Sequence, residues 1–202
     1  MECLLGIKCR DFVIVAADMT KAHSIMVMKT DENKLHTLSN KIVMAISGEQ
    51  GDTTQFAEYI AKNIQLYKMR NGYELGAKAA ANFTRRNLAE GLRSRNAYHV
   101  NMLLAGYDDQ EGPQLYFVDY LASLANVKFA SHGYGGFFSL AIMDRYYSED
   151  LTPEEAYDIM KKCIREVHQR LIVNLPNFKL QIIDKDGIRD LPAITAQGLA
   201  KE

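Results

Sequence analysis

Apolar and polar positions change period several times along the chain, and each change marks an element. CLLGIKC, from Cys3 to Cys9, is nearly continuous in apolar residues; Arg10-Asp11 breaks it, and FVIVAA then runs up to Asp18. These read as two strands, and the nearly continuous apolar run Ile42–Ile46 further on reads as a strand buried on both faces. Extended chain from the first residues onward predicts a terminus built into a sheet rather than left to fray. Ser24 to Lys29 reads as a short strand, and Lys34 to Leu38 and Ile42 to Ser47 as a pair around Ser39-Asn40. Gly48 and Gly51 then punctuate a change to helical period. In DTTQFAEYIAKNIQLYKMRNG the stripe is Phe56, Ile60, Ile64 and Tyr67, with Asp52 or Thr53 as cap and Asn71-Gly72 as stop. A second helix, ELGAKAAANFTRRNLAEGLRSR, places Leu75, Ala79, Phe83, Leu88 and Leu92 on one side, and the tight join predicts an antiparallel pair.

Strand period returns at His99 to Tyr107, Gln114 to Tyr120 and Ala125 to Ser131, the first two joined by a turn through Gly112-Pro113. Gly133, Gly135 and Gly136 open a helix to about Tyr147. Thr152-Pro153-Glu154-Glu155 is a capping box with Pro at the first helical position. The helix it starts carries Ala156, Met160, Cys163, Ile164, Val167 and Leu171 as one stripe, with Pro176 marking its end. FKLQIID and IRDL form a last hairpin at Asp186-Gly187. Helices thus come in pairs between groups of strands, which predicts an α+β chain with sheet packed on sheet and a helix pair outside each. With no repeat, linker or low-complexity stretch, residues 1–202 read as one domain, in which 192–202 form a patternless arm or flexible tail.

Composition narrows the function classes. At 202 residues the chain can bury a core without disulfides or metal. A net charge of −1 points to neither nucleic acid nor a membrane surface as partner. No apolar run reaches the roughly 18 residues of a membrane span, and no secretory leader is visible. Three cysteines, Cys3, Cys9 and Cys163, form no CxxC and fit a reducing compartment, while the five histidines lack metal-ligand spacing, so neither metal nor cofactor is expected. Cys3 reads as core, in register with Leu5, Ile7 and Cys9; a nucleophilic role would require loss of Met1 and Glu2. GYGG at 133–136 reads as a tight turn, with phosphate binding as the weaker alternative. Lys78, Arg85 and Arg86 read as a solvated or partner-facing patch, with nucleic acid as the weaker alternative.

Several stretches together resemble the proteasome β subunits: DFVIVAAD, the Lys34 strand, Ser47-Gly48 before the first helix, HGYGG, MDRYYSEDLTPEEAYDIMKKCI and IIDKDGIRDL, in family order from about residue 2 to 191. QFAEYIAKNIQLYKMRNGYEL, AAANFTRRNLA, YHVNMLLAGYD and NLPNFKLQIIDKDGI resemble the non-catalytic branch that takes the fourth position of the β ring. The resemblance implies an N-terminal nucleophile fold, a four-layer α-β-β-α sandwich. In active members a threonine at the mature N-terminus attacks the peptide carbonyl, and its free amine, with an ordinary pKa of about 7.7–8.0, serves as base. A lysine, an aspartate and a glycine N–H that stabilises the oxyanion complete that site.

Carried over by position, Asp18, Lys34 and Gly48 match the family's aspartate, lysine and oxyanion-hole glycine. Tyr134 replaces the accessory serine of a Gly-Ser-Gly motif, and Leu171 and Asn174 replace a later aspartate and serine. Glu2 stands where the threonine belongs, so no catalytic residue is expected. The chain is expected to begin at Met1 with no propeptide, leaving the Glu2 nitrogen in a peptide bond. Asp18 and Lys34 read as a relict ion pair, with surviving chemistry as the weaker alternative. The implied role is a silent wall of the 20S core particle in cytoplasm and nucleus. Its implied partners are α and β subunits in stacked seven-membered rings, with transient contact to unfolded polypeptide. A stand-alone hydrolase and a peptide-binding module are the alternatives.

Overall fold

A computed structural model of the chain describes residues 2–23 and 26–199. The opening run folds as two antiparallel strands, β1 (Cys3–Lys8) and β2 (Phe12–Asp18), joined by the turn at Arg10-Asp11. Their side chains alternate between two apolar cores, as the strand period of 2 requires. Leu4, Val13, Val15 and Ala17 enter one core, while Cys3, Leu5, Ile7, Phe12, Ile14 and Ala16 enter the other. That double burial is why the sequence shows no polar face here.

β3 (Lys21–His23) and β4 (Met26–Lys29) make a small antiparallel hairpin. Met26–Lys29 falls within the expected short strand, whose first two residues, Ser24 and Ile25, lie outside the described residues. β5 (Leu35–Ser39) and β6 (Ile42–Gly48) follow, then α1 (Gln50–Asn71) and α2 (Ala77–Leu92). Neither Asp52 nor Thr53 caps α1: the N-cap is Glu49, and the Asp52 carboxylate accepts from His99 N at 2.9 Å instead. On α2 the buried face is Ala77, Ala80, Ala81, Thr84 and Leu88, rotated from the expected Leu75–Ala79–Phe83 stripe. Small residues face inward because the helix lies close to the sheet: a Cβ on Gly106 of the next strand would already crowd Ala77.

β7 (Val100–Asp108), β8 (Gly112–Val118) and β9 (Leu124–Asn126) extend the sheet begun by β5 and β6, giving the order β5-β6-β7-β8-β9. The strand expected at 125–131 is broken. Val127 N donates to Leu115 O, whereas Lys8 N donates to Lys128 O. The chain therefore leaves one sheet between these residues, and β10 (Phe129–Gly133) pairs with β1 in the other. α3 (Gly136–Tyr146) and α4 (Pro153–Arg170) come next, and the Thr152–Glu155 capping box forms in both directions. β11 (Asn177–Asp184) and β12 (Gly187–Thr195) complete the order β10-β1-β2-β11-β12.

The segment expected to be a patternless arm is partly ordered structure. β12 continues through Pro192 to Thr195, Ile194 is buried opposite Phe178, and α5 (Ala196–Leu199) follows. Pro192 is tolerated because β12 lies at the edge of its sheet, where one row of backbone groups has no strand partner. Residues 200–202 lie outside the described residues.

Three apolar cores give four layers. Leu4, Val13 and Val15 meet Val43, Ala45, Leu103 and Leu115 between the two sheets. Leu5, Ile7 and Ile14 meet Met160, Cys163, Ile164 and Val167 under α3 and α4. Met44, Ile46, Met102 and Leu104 meet Phe56, Ile60 and Leu88 under α1 and α2. Each fully buried Leu, Ile or Phe contributes roughly 1.5–3 kcal/mol. The stack also fixes where the ends of β2 and β6 and the start of β1 and β5 come together.

Candidate functional site

Asp18 closes β2 with its side chain 0% exposed, so its carboxylate must find its partners inside the protein. It finds three. Oδ1 accepts from Cys3 N at 2.8 Å, and Oδ2 accepts from Thr20 N at 3.0 Å and from Lys34 Nζ at 2.9 Å. The first ties β2 to the start of β1, and the second is a local turn closure typical of aspartate. The third reaches the residue just before β5. Lys34 is only 8% exposed. Its backbone carbonyl accepts from Ile46 N at 3.1 Å, which holds the ammonium next to the end of β6.

Glu2, 23% exposed, completes the cluster. One carboxylate oxygen lies 3.1 Å from Lys34 Nζ, and the other accepts from Gly48 N at 2.6 Å. Gly48 has φ 140, a backbone that side-chain-bearing residues rarely adopt, and a Cβ there would collide with His99 O. That conformation turns its N–H toward Glu2 immediately before α1. Lys34 is thus shared by two carboxylates, and backbone N–H groups supply the rest of their solvation. A cavity of about 120 Å³ opens beside Glu2 and Lys34, lined also by His36, Gln50 and Thr53. That is below the roughly 300–1,000 Å³ usual for ligand pockets.

Among the described residues, the replaced positions make no side-chain hydrogen bond or ion pair to this network. Tyr134 is 57% exposed and packs on Phe137, with ring centroids 6.5 Å apart. Leu171 packs against the core under α3 and α4, and Asn174 is exposed. Among the described residues, the side-chain hydrogen bonds and ion pairs of Glu2, Asp18 and Lys34 run to one another and to the backbone N–H groups of Cys3, Thr20 and Gly48. The structure therefore brings together Glu2, Asp18, Lys34 and Gly48, and leaves Tyr134, Leu171 and Asn174 outside. Sequence reading missed the two backbone donors to Asp18. The Thr20 contact was available as an Asp with a free N–H two residues on; the Cys3 contact needed the strand register.

As a nucleophile the arrangement is poor. A carboxylate attacking an amide would form a mixed anhydride by expelling an amine, an unfavourable exchange, and both Glu2 oxygens are already engaged. The Cys3 thiol is no substitute. Burial, helped by the charge of Asp18, pushes its pKa far above the ordinary thiol range, so it stays a core thiol. Cys9 and Cys163 are likewise pushed up to about 12 by burial.

The weaker readings fare as follows. At the Gly-rich turn a Cβ on Gly133 would strike Glu2 O and one on Gly135 would strike Cys3 Sγ, so these glycines serve close packing of the chain start. Lys78 faces Glu111 at 3.6 Å, Arg86 faces Glu90 at 3.0 Å, and Arg85 donates to Ala122 O at 3.3 Å, so the basic patch is internally paired. Among the described residues, no group of three or more His, Cys, Asp or Glu is placed to hold a metal ion. Among the described residues, no helix is long and apolar enough to cross a membrane.

Comparison with known proteins agrees with this geometry. The proteasome subunit family matches residues 2–183. Proteasome subunit beta type-2-A of Arabidopsis thaliana is 50% identical over 190 residues, covering 94% of this chain and 93% of that protein. Proteasome subunit beta type-2 of Oryza sativa subsp. japonica is 47% identical, covering 94% and 89%. Proteasome subunit beta type-4 of Saccharomyces cerevisiae is 41% identical over 198 residues, covering 98% and 100%. The family match and these relatives each span most of the chain, and the chain belongs to the proteasome subunit family.

Proposed function

We propose that the chain is a catalytically silent β subunit of the 20S proteasome core particle. The observation that carries this is the Glu2 carboxylate, bound to Lys34 and to the Gly48 N–H where the resemblance places the threonine's chemistry. In an active site those donors must be free to receive the charge that develops on the substrate carbonyl. Here a permanent charge already takes them. Asp18, Lys34 and Gly48 act as structure, holding the start of β1 to β2, β5 and β6.

In this role the subunit closes the β ring at its fourth position, in the cytoplasm and nucleus. It contacts ring neighbours, the α ring and the opposing β ring, and encloses the chamber where other subunits cut unfolded chains. Exposed Met69, Tyr73, Met28, Tyr134 and Phe137 suit such contacts, because Met and aromatic residues are enriched where proteins bury surface.

The test is native mass measurement of a tagged copy. Recovery within a particle containing other proteasome subunits is expected. Recovery mainly as an isolated chain would overturn the subunit role and favour a stand-alone hydrolase or peptide-binding module. Glu2→Thr is expected to create no peptide cleavage at this subunit, since Tyr134, Leu171 and Asn174 remain replaced. New cleavage assigned to it would overturn the silent reading.

A further inference from the structure

At the end of β2 away from Asp18 lies a larger cavity, of about 590 Å³, inside the roughly 300–1,000 Å³ usual for ligand pockets. It is walled by the β1–β2 turn, the end of β7, the residues leading into α4, the end of β11 and the β11–β12 turn. Its floor is apolar. Phe12 and Ile182 belong to the core under α3 and α4, Leu151 packs on that core, and Tyr107 packs on the core between the sheets. Its rim is acidic: Asp11, Asp150, Asp184 and Asp186 border it, with Lys185 as the one cation among the lining residues. Part of that charge is balanced within the chain. Asp150 pairs with Arg10 at 2.5 Å, and Asp184 pairs with Arg189 while accepting from Asp186 N at 2.9 Å. Asp11 and Asp186 stand exposed, and among the described residues neither side chain makes an ion pair or a hydrogen bond. Tyr107 shows what its ring attracts, for Lys41 Nζ lies 5.5 Å from the ring centre. Lys41 borders a neighbouring cavity of about 360 Å³ that shares Tyr107 as a wall, and does not border the larger one. The start of α4 would repel a cation, but Glu154 and Glu155 in its first turn offset that end of the helix dipole.

We propose that this cavity is a docking groove for an arginine- or lysine-bearing segment of a partner protein. The aliphatic stem of such a side chain lies along the apolar floor, and its charged head meets Asp11, Asp186 and the Tyr107 ring. The same features reject other occupants. An acidic segment, a nucleic acid or an anionic lipid surface meets a rim of like charge, and a purely apolar segment desolvates that rim without pairing it. The groove is separate from the pocket at Glu2, and the inference does not depend on that pocket being inert.

The test measures, by fluorescence anisotropy, binding of a labelled Gly-Arg-Leu-Arg-Gly peptide to the full-length chain, with Gly-Gln-Leu-Gln-Gly as the uncharged probe. Wild type is expected to bind the arginine probe saturably, and the glutamine probe about threefold to tenfold more weakly, the scale of two exposed ion pairs. Asp11→Asn combined with Asp186→Asn is expected to weaken the arginine probe by a similar factor, about threefold to tenfold. Lys185→Glu, which adds negative charge to the rim, is expected to tighten it about threefold, a gain that lost folding cannot mimic. Glu58→Gln combined with Glu90→Gln removes as much charge elsewhere, from exposed pairs with Lys62 and Arg86, and is expected to leave binding unchanged. Equal binding of the two probes, equal weakening by both double variants, or no gain from Lys185→Glu would overturn the groove. This inference and the proposed function fail separately. Recovery of the chain mainly alone in native mass measurement would overturn the subunit role without altering these affinities, and loss of the charge preference would remove the groove without making the chain active.

Discussion

Two regions that the family resemblance assigns to one active site have gone different ways. Where β1, β2, β5 and β6 meet, Asp18, Lys34 and Gly48 remain, buried or nearly so, with every charged group partnered. On the flank formed by the β10–α3 turn and the end of α4, Tyr134 and Asn174 are exposed and Leu171 serves packing. The difference follows from what each group holds. Asp18 joins strand ends, so changing it leaves two N–H donors without their acceptor and the buried ammonium with Glu2 alone. The exposed side chains on the flank, Tyr134 and Asn174, join no strand ends. Under the proposed silent role, the Asp18–Lys34 network does structural work.

The largest test of that contrast is Asp18→Ala. Leaving two backbone donors without their acceptor and Lys34 with one carboxylate in place of two is expected to cost about 3–5 kcal/mol, read from the urea midpoint of the full-length chain. A loss below about 1 kcal/mol would contradict a structural role for the cluster. Next comes pH. His132, on β10 between the two regions, stacks on Phe117 at 4.1 Å and its Nε2 lies 3.1 Å from Met102 O. Burial lowers its pKa from 6.5 to about 4, so the native form stays neutral where the unfolded chain takes up a proton. Stability is therefore intact above pH 6.5 and falls as pH drops toward 4, by an amount of order 3 kcal/mol. Thermal scans across that window are expected to show the slope, and His132→Gln to flatten it.

Away from the cluster the effects are smaller. Thr152→Ala removes one arm of the α4 capping box, whose Thr152 hydroxyl accepts from Glu155 N at 3.3 Å, and is expected to cost about 1 kcal/mol. Smallest are Tyr134→Ser and Asn174→Ser, expected to shift stability by less than about 0.5 kcal/mol and to confer no cleavage. A large loss from either would mean that the flank carries load after all.

Much of this was legible in the sequence. The double burial of β1, β2 and β6 was written in their uninterrupted apolar runs, and the start of α4 in Thr152-Pro153-Glu154-Glu155. The convergence of Glu2, Asp18, Lys34 and Gly48 was suggested only by resemblance, since their separation along the chain gives no local signal. Three features escaped for physical reasons. The break at Val127-Lys128 follows from which strands flank it, not from its own composition. The inward face of α2 is alanine, which carries little period. Pro192 looked like the end of order, but on an edge strand its missing N–H costs little, and Ile194 beyond it still finds the core. The engagement of Glu2 by Gly48 could not be read at all, because it depends on one backbone angle.

The central claim is that the pocket at Glu2 is occupied and inert. Its most direct measurement is the intact mass of this chain after native core particles react with an electrophile directed at N-terminal threonine. The account predicts an unmodified mass here while adducts form on other subunits; an adduct on this chain would contradict it.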